Sequence, residues 1–548
     1  MRKNTRVYGI DLGTGNSAIA VYNPVSKAAQ IITNKDARTT LPSAVYIPNN
    51  NQAVVGQEAL NRLGGPDAKN VVVWSKRQIA QDKMFTSDGK FLGDYPTYEG
   101  SPLTPVTAAA LILKILTEQI PDHKKEDGPI HVVVTFPAHF SPSARERTRQ
   151  ACKVAGVDVI GMVEEPIAAA LQYSAGESRS NCTLLVYDWG CGTFDSTLLS
   201  FDAKGHGKVI AKAGDPMLGG ADCDNRFAYE ISQLYRAQKK LKVELTKEDF
   251  IRDHLDSIDK TRLVHKFRKL ANEAKHALSS LTETEVVVDD GDVIIPVTRS
   301  MFEKCIAEFV KETHAIVKTV LDEAEEKDSR VDEVILVGGS SLIPCVKTQL
   351  ETAFPGLTGK IKLCDPMECV AKGAAIWAHM LAENGIDGEN VTAINIPGRI
   401  ENTASFSLGV KCVRNSSGGG IEHYVSNVIL KGQSLPAVAK DTFSTFYADQ
   451  ENVAINIHSS ELQDRQISIA DSTEIANPES NLLPFEKKVP KDTPIEIEIH
   501  LDEAGLITVT GKSLVDSGYC HFQLHLTGSL DAKGIAAATK QIENGNAR

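Results

Sequence analysis

Two stretches decide the fold: YGIDLGTGNSAIAVY at 8–22 and VYDWGCGTFDSTLLSF at 186–201. Each runs from an apolar strand into D-x-G-x-G and out along a second strand, through Asp11-Leu12-Gly13-Thr14-Gly15 in one and Asp188-Trp189-Gly190-Cys191-Gly192 in the other. A turn that exposes its backbone N–H groups and lets a ligand come close needs glycine, which accepts positive φ and carries no Cβ. The aspartate ending each strand suits a hydrated divalent cation, because magnesium keeps several waters and shares carboxylate and phosphate oxygens. Either turn alone is an ordinary hairpin. Two of them opening corresponding halves, with a third glycine turn in LVGGSSLIP at 336–344, predict a two-lobed protein that binds a nucleotide in the cleft between its lobes.

Outward from these turns, residues 1–385 alternate short apolar runs with periodic helical stretches, as an α/β architecture does. HVVVTFP at 131–137 predicts a buried strand, and the helix after it starts with Ser141 as cap and Pro142 at the first position and ends at Gly156. A longer helix from about Thr261 carries Leu263, Phe267, Leu270, Ala274, Ala277 and Leu281 as its apolar stripe. VVVDDGDVIIPV at 286–297 predicts a hairpin around Asp290-Gly291. Near residue 386 the composition turns polar and glycine-rich, which marks a linker over 386–404. Short alternating segments at 405–528, among them SFSLGVKCV, VAINI and IEIEIHLDEAGLITVTG, predict a small antiparallel β-domain. Residues 529–548 leave room for one short helix and a frayed end, and for no helical lid.

Composition narrows the function. With 548 residues the chain holds several domain-sized units, at roughly 100 to 200 residues each. Lys plus Arg number 59 against 71 Asp plus Glu, a net charge of −12, which disfavours direct nucleic-acid or anionic-membrane binding. The ten cysteines include no C-x-x-C pair, and Cys364 and Cys369, the nearest two, stand five apart, so reduced thiols of a cytoplasmic protein are expected. No apolar run reaches membrane-spanning or signal-peptide length.

GIDLGTGNSAIAV, the Lys-Arg pair of WSKRQIA, TFPAHFSPSARERTRQA, EEPIAAALQYSAG, DWGCGTFD, GDPMLGGADCDNR, ANEAKHALSS and LVGGSSLIP occur in that order. Together they resemble the actin-like ATPase domain of the seventy-kilodalton heat-shock (DnaK-type) chaperones, and the β-region resembles a shortened form of that family's peptide-binding sandwich. The resemblance implies ATP and magnesium as cofactors. It implies that Thr14, Gly15 and Asn16 face the phosphates from one lobe, and Gly190, Cys191, Gly192, Thr193, Gly219 and Gly220 from the other. Asp11, Asp188 and Asp195 would organise the magnesium through water, and Lys76, Glu165 and Thr193 would serve hydrolysis. Lys275 and Ser279 would reach the ribose, with Gly338, Gly339, Ser340, Leu342 and Met367 lining the adenosine. Pro137 and Arg145 match the family's interlobe relay.

Departures from the family pattern point to weak turnover. Cys191 stands where a third consecutive glycine is usual, Asn272 replaces a glutamate, His276 and Leu342 replace arginines, and Met367 replaces an aspartate. Lost guanidinium stacking on the base costs about 0.5 to 2 kcal/mol per contact. The linker INIPGRIENTA is less apolar than the family's, so its docking as an added strand is expected to be weak. Gly161 aligns with an arginine that contacts J-domains. With its shortened β-domain and absent lid the chain is most similar to the Ssz-type atypical members. That likeness implies a stable heterodimer with a zuotin-like J-domain protein, ribosome association through the partner, and nascent polypeptides as further contacts. ATP would then be bound with little or no hydrolysis. An autonomous cycling chaperone ATPase and an actin-superfamily metabolite kinase remain as other readings.

Overall fold

The strand Val7–Asp11 pairs antiparallel with Asn16–Asn23 and in parallel with Ile130–Phe136, which in turn pairs in parallel with Val157–Glu164. The strand Cys182–Trp189 repeats this pattern: it is antiparallel to Phe194–Phe201 and parallel to Glu333–Val337, which is parallel to Ile361–Leu363. Asp11 lies opposite Ala18 and Asp188 opposite Asp195 in equivalent registers. The repeat read in the sequence is therefore a repeat of sheets, one per lobe. The computed structural model describes residues 6–548 apart from 87–88, 122, 124–127, 176–179, 240–242, 252–254, 256, 328, 384–399, 417–418, 476–480, 504 and 525–527.

Two helices join the lobes. Glu165–Ala175 follows the last strand of the first sheet, and Cys369–Glu383 follows that of the second. Their small residues allow a close crossing: Gly373 comes so near the Ala168 carbonyl that any Cβ there would overlap it. Ala168, Ala169, Val186, Val337, Ala374 and Trp377 belong to one apolar cluster between the sheets, while separate cores fill each lobe.

The predicted secondary structure is present with local shifts. Pro142–Val154 is a helix, and the Ser141 hydroxyl accepts from the Ala144 N–H at 3.2 Å. The long helix runs Ile258–Ser280, but its buried line is Val264, Phe267, Ala271, Ala274 and Leu278. Of the expected stripe, Phe267 and Ala274 lie on that line and Leu263 and Leu270 pack against the same core from its flank, while Leu281 is 53% exposed. Both lines have the same spacing, and only the position of the neighbouring helix distinguishes them. Glu283–Val288 and Val293–Thr298 form the expected hairpin. VAINI divides instead between Gln450–Ala454 and Ile457–Ser460, which enter different sheets.

The β-domain stacks a five-stranded antiparallel sheet on a four-stranded one, with Leu408, Val410, Ile457, Ile497, Ile499 and Val509 in the core between them. Both of its ends are tied to the lobes. Of the expected linker, 386–399 lies outside the described residues, but Ile400–Glu401 adds a parallel strand beside Gly207–Asp215 of the second lobe, with Ile400 buried. The segment expected to dock only weakly is docked as this two-residue strand, and Ile400 belongs to the apolar cluster between the lobes.

The frayed end expected after residue 528 is also absent. Ala532–Asn544 is a helix capped by Asp531, and its Ala538 and Ile542 are buried in the core of the first lobe. Asn546–Ala547 then pairs in parallel with Gln52–Val55, Gln541 Nε2 donates to the Tyr98 and Ser101 carbonyls, and Lys114 Nζ donates to the Ile542 carbonyl at 3.1 Å. The helix is short but amphipathic, and the first lobe offers it a groove between Pro105–Thr117 and Pro142–Val154. Among the described residues no helix is long and apolar enough to cross a membrane.

Candidate functional site

Both D-x-G-x-G turns open into one cavity of about 550 Å³ between the lobes. Thr14, Gly15 and Asn16 line it from the first lobe, and Gly190, Cys191, Gly192 and Thr193 from the second. The facing turns leave no room for larger residues. A Cβ on Gly192 would stand 2.7 Å from Thr14 Cγ2 and 2.8 Å from Arg77 Cγ, and one on Gly15 would stand 3.0 Å from Cys191 Sγ. Gly338, at φ 79°, packs its Cα against the Trp189 backbone, where any side chain would collide.

Gly219 and Gly220 do not line the cavity. They lie behind the second turn, where the Gly220 N–H donates to the Gly190 carbonyl and the Ala221 N–H to that of Cys191, at 3.0 and 2.8 Å. Their absent side chains let the helix Gly220–Gln238 start directly against the turn and hold its shape.

Acidic groups gather around one lysine at the cavity floor. Lys76 donates to Glu165, and both are buried. Asp11 and Asp188 line the same floor. Asp195 sits one layer back, 2% exposed, with its Oδ1 3.0 Å from His139 Nδ1. Burial pushes Asp11 up and Asp188 well above the usual carboxylate range, and lifts Glu165 to about 7 despite Lys76. For Lys76 burial works downward but is outweighed by Glu165 and Asp11, so its ammonium is held above the ordinary value.

This floor has more negative groups than Lys76 can balance, which is the environment a divalent cation would relieve. Among the described residues no three His, Cys, Asp or Glu side chains converge to ligate a metal directly. The acids therefore fit a hydrated cation that also shares phosphate oxygens.

At the other end, Lys275, Ser279, Gly338, Gly339, Ser340, Leu342 and Met367 all face the cavity. Lys275 Nζ is 2.8 Å from Asp224 Oδ1, while Asn272 Nδ2 donates to Oδ2 at 2.9 Å, so Asp224 fixes both. Ser340 Oγ donates to the Gly190 carbonyl at 2.8 Å and ties this end to the second turn. Ser279 donates to the Lys275 carbonyl at 3.1 Å, which leaves its oxygen free to accept a further bond in the cavity wall. Leu342 and Met367, 44% and 38% exposed, form the apolar wall at this end.

Sequence reasoning missed three residues. Asp224 carried no motif signal that set it apart. Arg77, next to Lys76, crosses the cleft to the Met217 carbonyl at 2.6 Å and to Asp222 at 3.2 Å. Arg268 of the second lobe stacks over Trp74 of the first, 5.2 Å from the ring centroid. The last two are interlobe contacts, visible only once the lobes face each other.

Fold and site define a two-lobed nucleotide-cleft protein that carries a β-sandwich. The model of the Hsp70 protein family matches residues 7–548, and the chain belongs to that family. Its function is of the Hsp70 chaperone type, and the family binds ATP, typically with magnesium. Among curated relatives, the mitochondrial heat shock 70 kDa protein of Dictyostelium discoideum is 29% identical over 98% of this chain and 78% of its own length.

Proposed function

We propose that this Hsp70-type protein is an ATP-binding scaffold of the Ssz-type, which holds a zuotin-like J-domain protein as a stable partner and serves nascent chains at the ribosome through it. Thr14 to Asn16 and Gly190 to Thr193 would hold the phosphates, Asp11 and Asp188 would carry the hydrated magnesium with Asp195 one layer behind them, and Lys275 and Ser279 would hold the ribose. Lys76, Glu165 and Thr193 stand where hydrolysis would need them. When bound, magnesium supplies charge neutralisation at the phosphates. The protein is placed in the cytoplasm, and it touches neither nucleic acid nor membrane directly.

The observation that carries weak turnover is Cys191. Its side chain stands in the second phosphate turn opposite Gly15, where the family pattern has a third glycine. ATP then acts as a structural ligand. Binding without hydrolysis stabilises the closed lobes by about 2.7 kcal/mol when free ATP exceeds Kd a hundredfold. The docked β-domain, tied to the second lobe by Ile400 and to the first by Ala538 and Ile542, suits a scaffold better than a clamp that must release.

The second reading, a cycling chaperone ATPase, is favoured by Lys76, Glu165 and Thr193 all reaching the cavity. Calorimetry with ATP and single-turnover hydrolysis on the purified protein separate the two. Tight binding with negligible product supports the scaffold, and a rate that a J-domain protein accelerates manyfold sinks it. Recovery of the native protein from extract without a stoichiometric companion counts against the heterodimer. The metabolite-kinase reading loses its ground, since the Hsp70 match continues through the β-domain.

A further inference from the structure

Behind the adenosine end of the cleft lies a thiol pair that nucleotide binding does not use. Cys364 follows the strand Ile361–Leu363, and Cys369 opens the helix Cys369–Glu383. Between them Asp365 adopts φ 33°, and its carbonyl accepts from the Glu368 and Cys369 N–H groups at 2.9 and 3.0 Å. The chain folds back on itself and brings the two thiols within hydrogen-bonding reach of each other. Both sulfurs pack on the apolar cluster between the lobes, Cys369 fully buried and Cys364 partly accessible.

The turn they bracket is cleft wall. Pro366 and Met367 line the cavity. The Gly338 N–H donates to the Pro366 carbonyl at 3.0 Å, and Met367 Sδ lies 3.1 Å from the Cβ position of Gly339. A displacement of this turn therefore moves both the apolar wall and the third glycine loop.

Cys364 also has the character of an attacking thiol. Hydrogen bonding with Cys369 holds it below the ordinary thiol range against burial and the Asp365 carboxylate, with Lys372 adding to the pull. Other cysteines go the opposite way: burial lifts Cys191 and Cys412 to about 11, and Cys152 and Cys345 to about 12. Thiolates, not thiols, react with peroxides.

We propose that Cys364 and Cys369 are a hydroperoxide-oxidised dithiol, with Cys364 attacking and Cys369 resolving, whose disulfide shifts the cleft wall and weakens nucleotide binding. The Cys364 sulfur attacks one peroxide oxygen, the O–O bond breaks, and hydroxide leaves and takes up the thiol proton as water. The Cys369 sulfur then attacks the resulting sulfenic sulfur, the S–S bond forms, the S–O bond breaks, and a second water leaves with the Cys369 proton. The two sulfurs lose two electrons and the peroxide gains them. Closure draws the sulfurs from hydrogen-bond separation to about 2.05 Å, which pulls the start of the helix toward the strand and carries Pro366 and Met367 with it. The effect on binding rests on the cleft being an ATP site, and the thiol chemistry does not.

The test uses the reduced full chain, treated with stoichiometric hydrogen peroxide, alkylated with N-ethylmaleimide and digested with trypsin. Its 363–372 peptide should escape alkylation and weigh two hydrogens less, before the other cysteines react, and dithiothreitol should reverse this. In Cys369→Ala the reaction should stop at a Cys364 sulfenic acid that dimedone traps, and Cys364→Ser should abolish it. A pair that stays reduced until the other thiols have oxidised, or that goes to sulfinic acid at Cys364 without a disulfide, overturns the proposal. Titration with a fluorescent ATP analogue should show affinity lower by about fivefold or more in the disulfide form, restored by dithiothreitol and absent in Cys364→Ser. Equal affinities overturn the coupling. A reduced protein that binds no nucleotide instead refutes the ATP-site reading, and the mass measurement still decides the thiol pair.

Discussion

Arg145 of the first lobe donates through Nη2 to the Ser405 hydroxyl of the β-domain at 2.8 Å. The same guanidinium lies 3.6 Å from Glu164, which also takes Lys212 at 2.9 Å, and Lys212 continues to the Thr403 carbonyl and Asn402 at 2.8 and 3.1 Å. A buried cluster of three charges thus joins both lobes to the segment entering the β-domain. Burial would raise Glu164, but Lys212 and Arg145 outweigh it and hold the carboxyl below its ordinary range.

Replacing Arg145 by leucine should therefore loosen the β-domain. One partner of a buried cluster is removed while the others stay desolvated, a loss of about 3–5 kcal/mol. Small-angle scattering should show a larger radius of gyration than the parent, with a lower thermal midpoint. An unchanged profile would mean that Ile400 and the tail hold the domain alone.

Gly192→Ala should hold the cleft open. The new methyl meets Thr14 and Arg77, two residues of the opposite lobe, below van der Waals distance. ATP affinity should fall by tenfold or more, about 1.4 kcal/mol, while each lobe stays folded by circular dichroism.

Cys191→Gly should have the opposite effect on the same turns. It removes the side chain that faces Gly15 and should tighten ATP binding by about fivefold, close to 1 kcal/mol. If the cysteine is what slows turnover, single-turnover hydrolysis should also rise, and an unchanged rate assigns the slowness elsewhere.

Proton release should accompany nucleotide binding. Burial raises Glu165 to about 7 in the folded protein, so on its account stability is full below pH 4.5 and declines as pH rises through 7, by up to about 1.4 kcal/mol per pH unit. Magnesium arriving with ATP favours the carboxylates, so binding near pH 6.5 should release protons from Glu165 and from the raised Asp11 and Asp188. Calorimetry in buffers of different ionisation enthalpy measures the release, and Glu165→Gln should lower it.

The tail should behave as part of the first lobe. Ile542→Asp places a charge in that core and should cost about 2–5 kcal/mol, the range for losing a large buried aliphatic side chain. Hydrogen exchange should then quicken at Gln52–Val55, the strand that Asn546–Ala547 borders.

The duplicated glycine turns were legible because D-x-G-x-G is a local requirement: a turn that presents N–H groups needs those residues in that order wherever it sits. Thr14 and Asp188 belong to those turns, whereas Lys76, Lys275 and Met367 were assigned to the cleft only through the resemblance to the family, and all five line it. Asp195, behind His139, and Gly219, behind Cys191, belong to the same motifs, yet only the packed structure shows them one layer back from the cavity.

Local pattern thus determined the α/β lobes, the β-domain and the glycine turns of the cleft, because strand, turn and helix periodicity depend on near neighbours in the chain. Tertiary structure decided that Ile400 docks as a strand, that the helix Ala532–Asn544 lies on the first lobe, that Arg77 and Arg268 span the cleft, and that Val264 is buried more deeply than Leu263. Each of these is a choice between surfaces that the chain brings together from far apart. Which one it buries depends on the shape and charge of the partner surface, and a short segment carries no record of either.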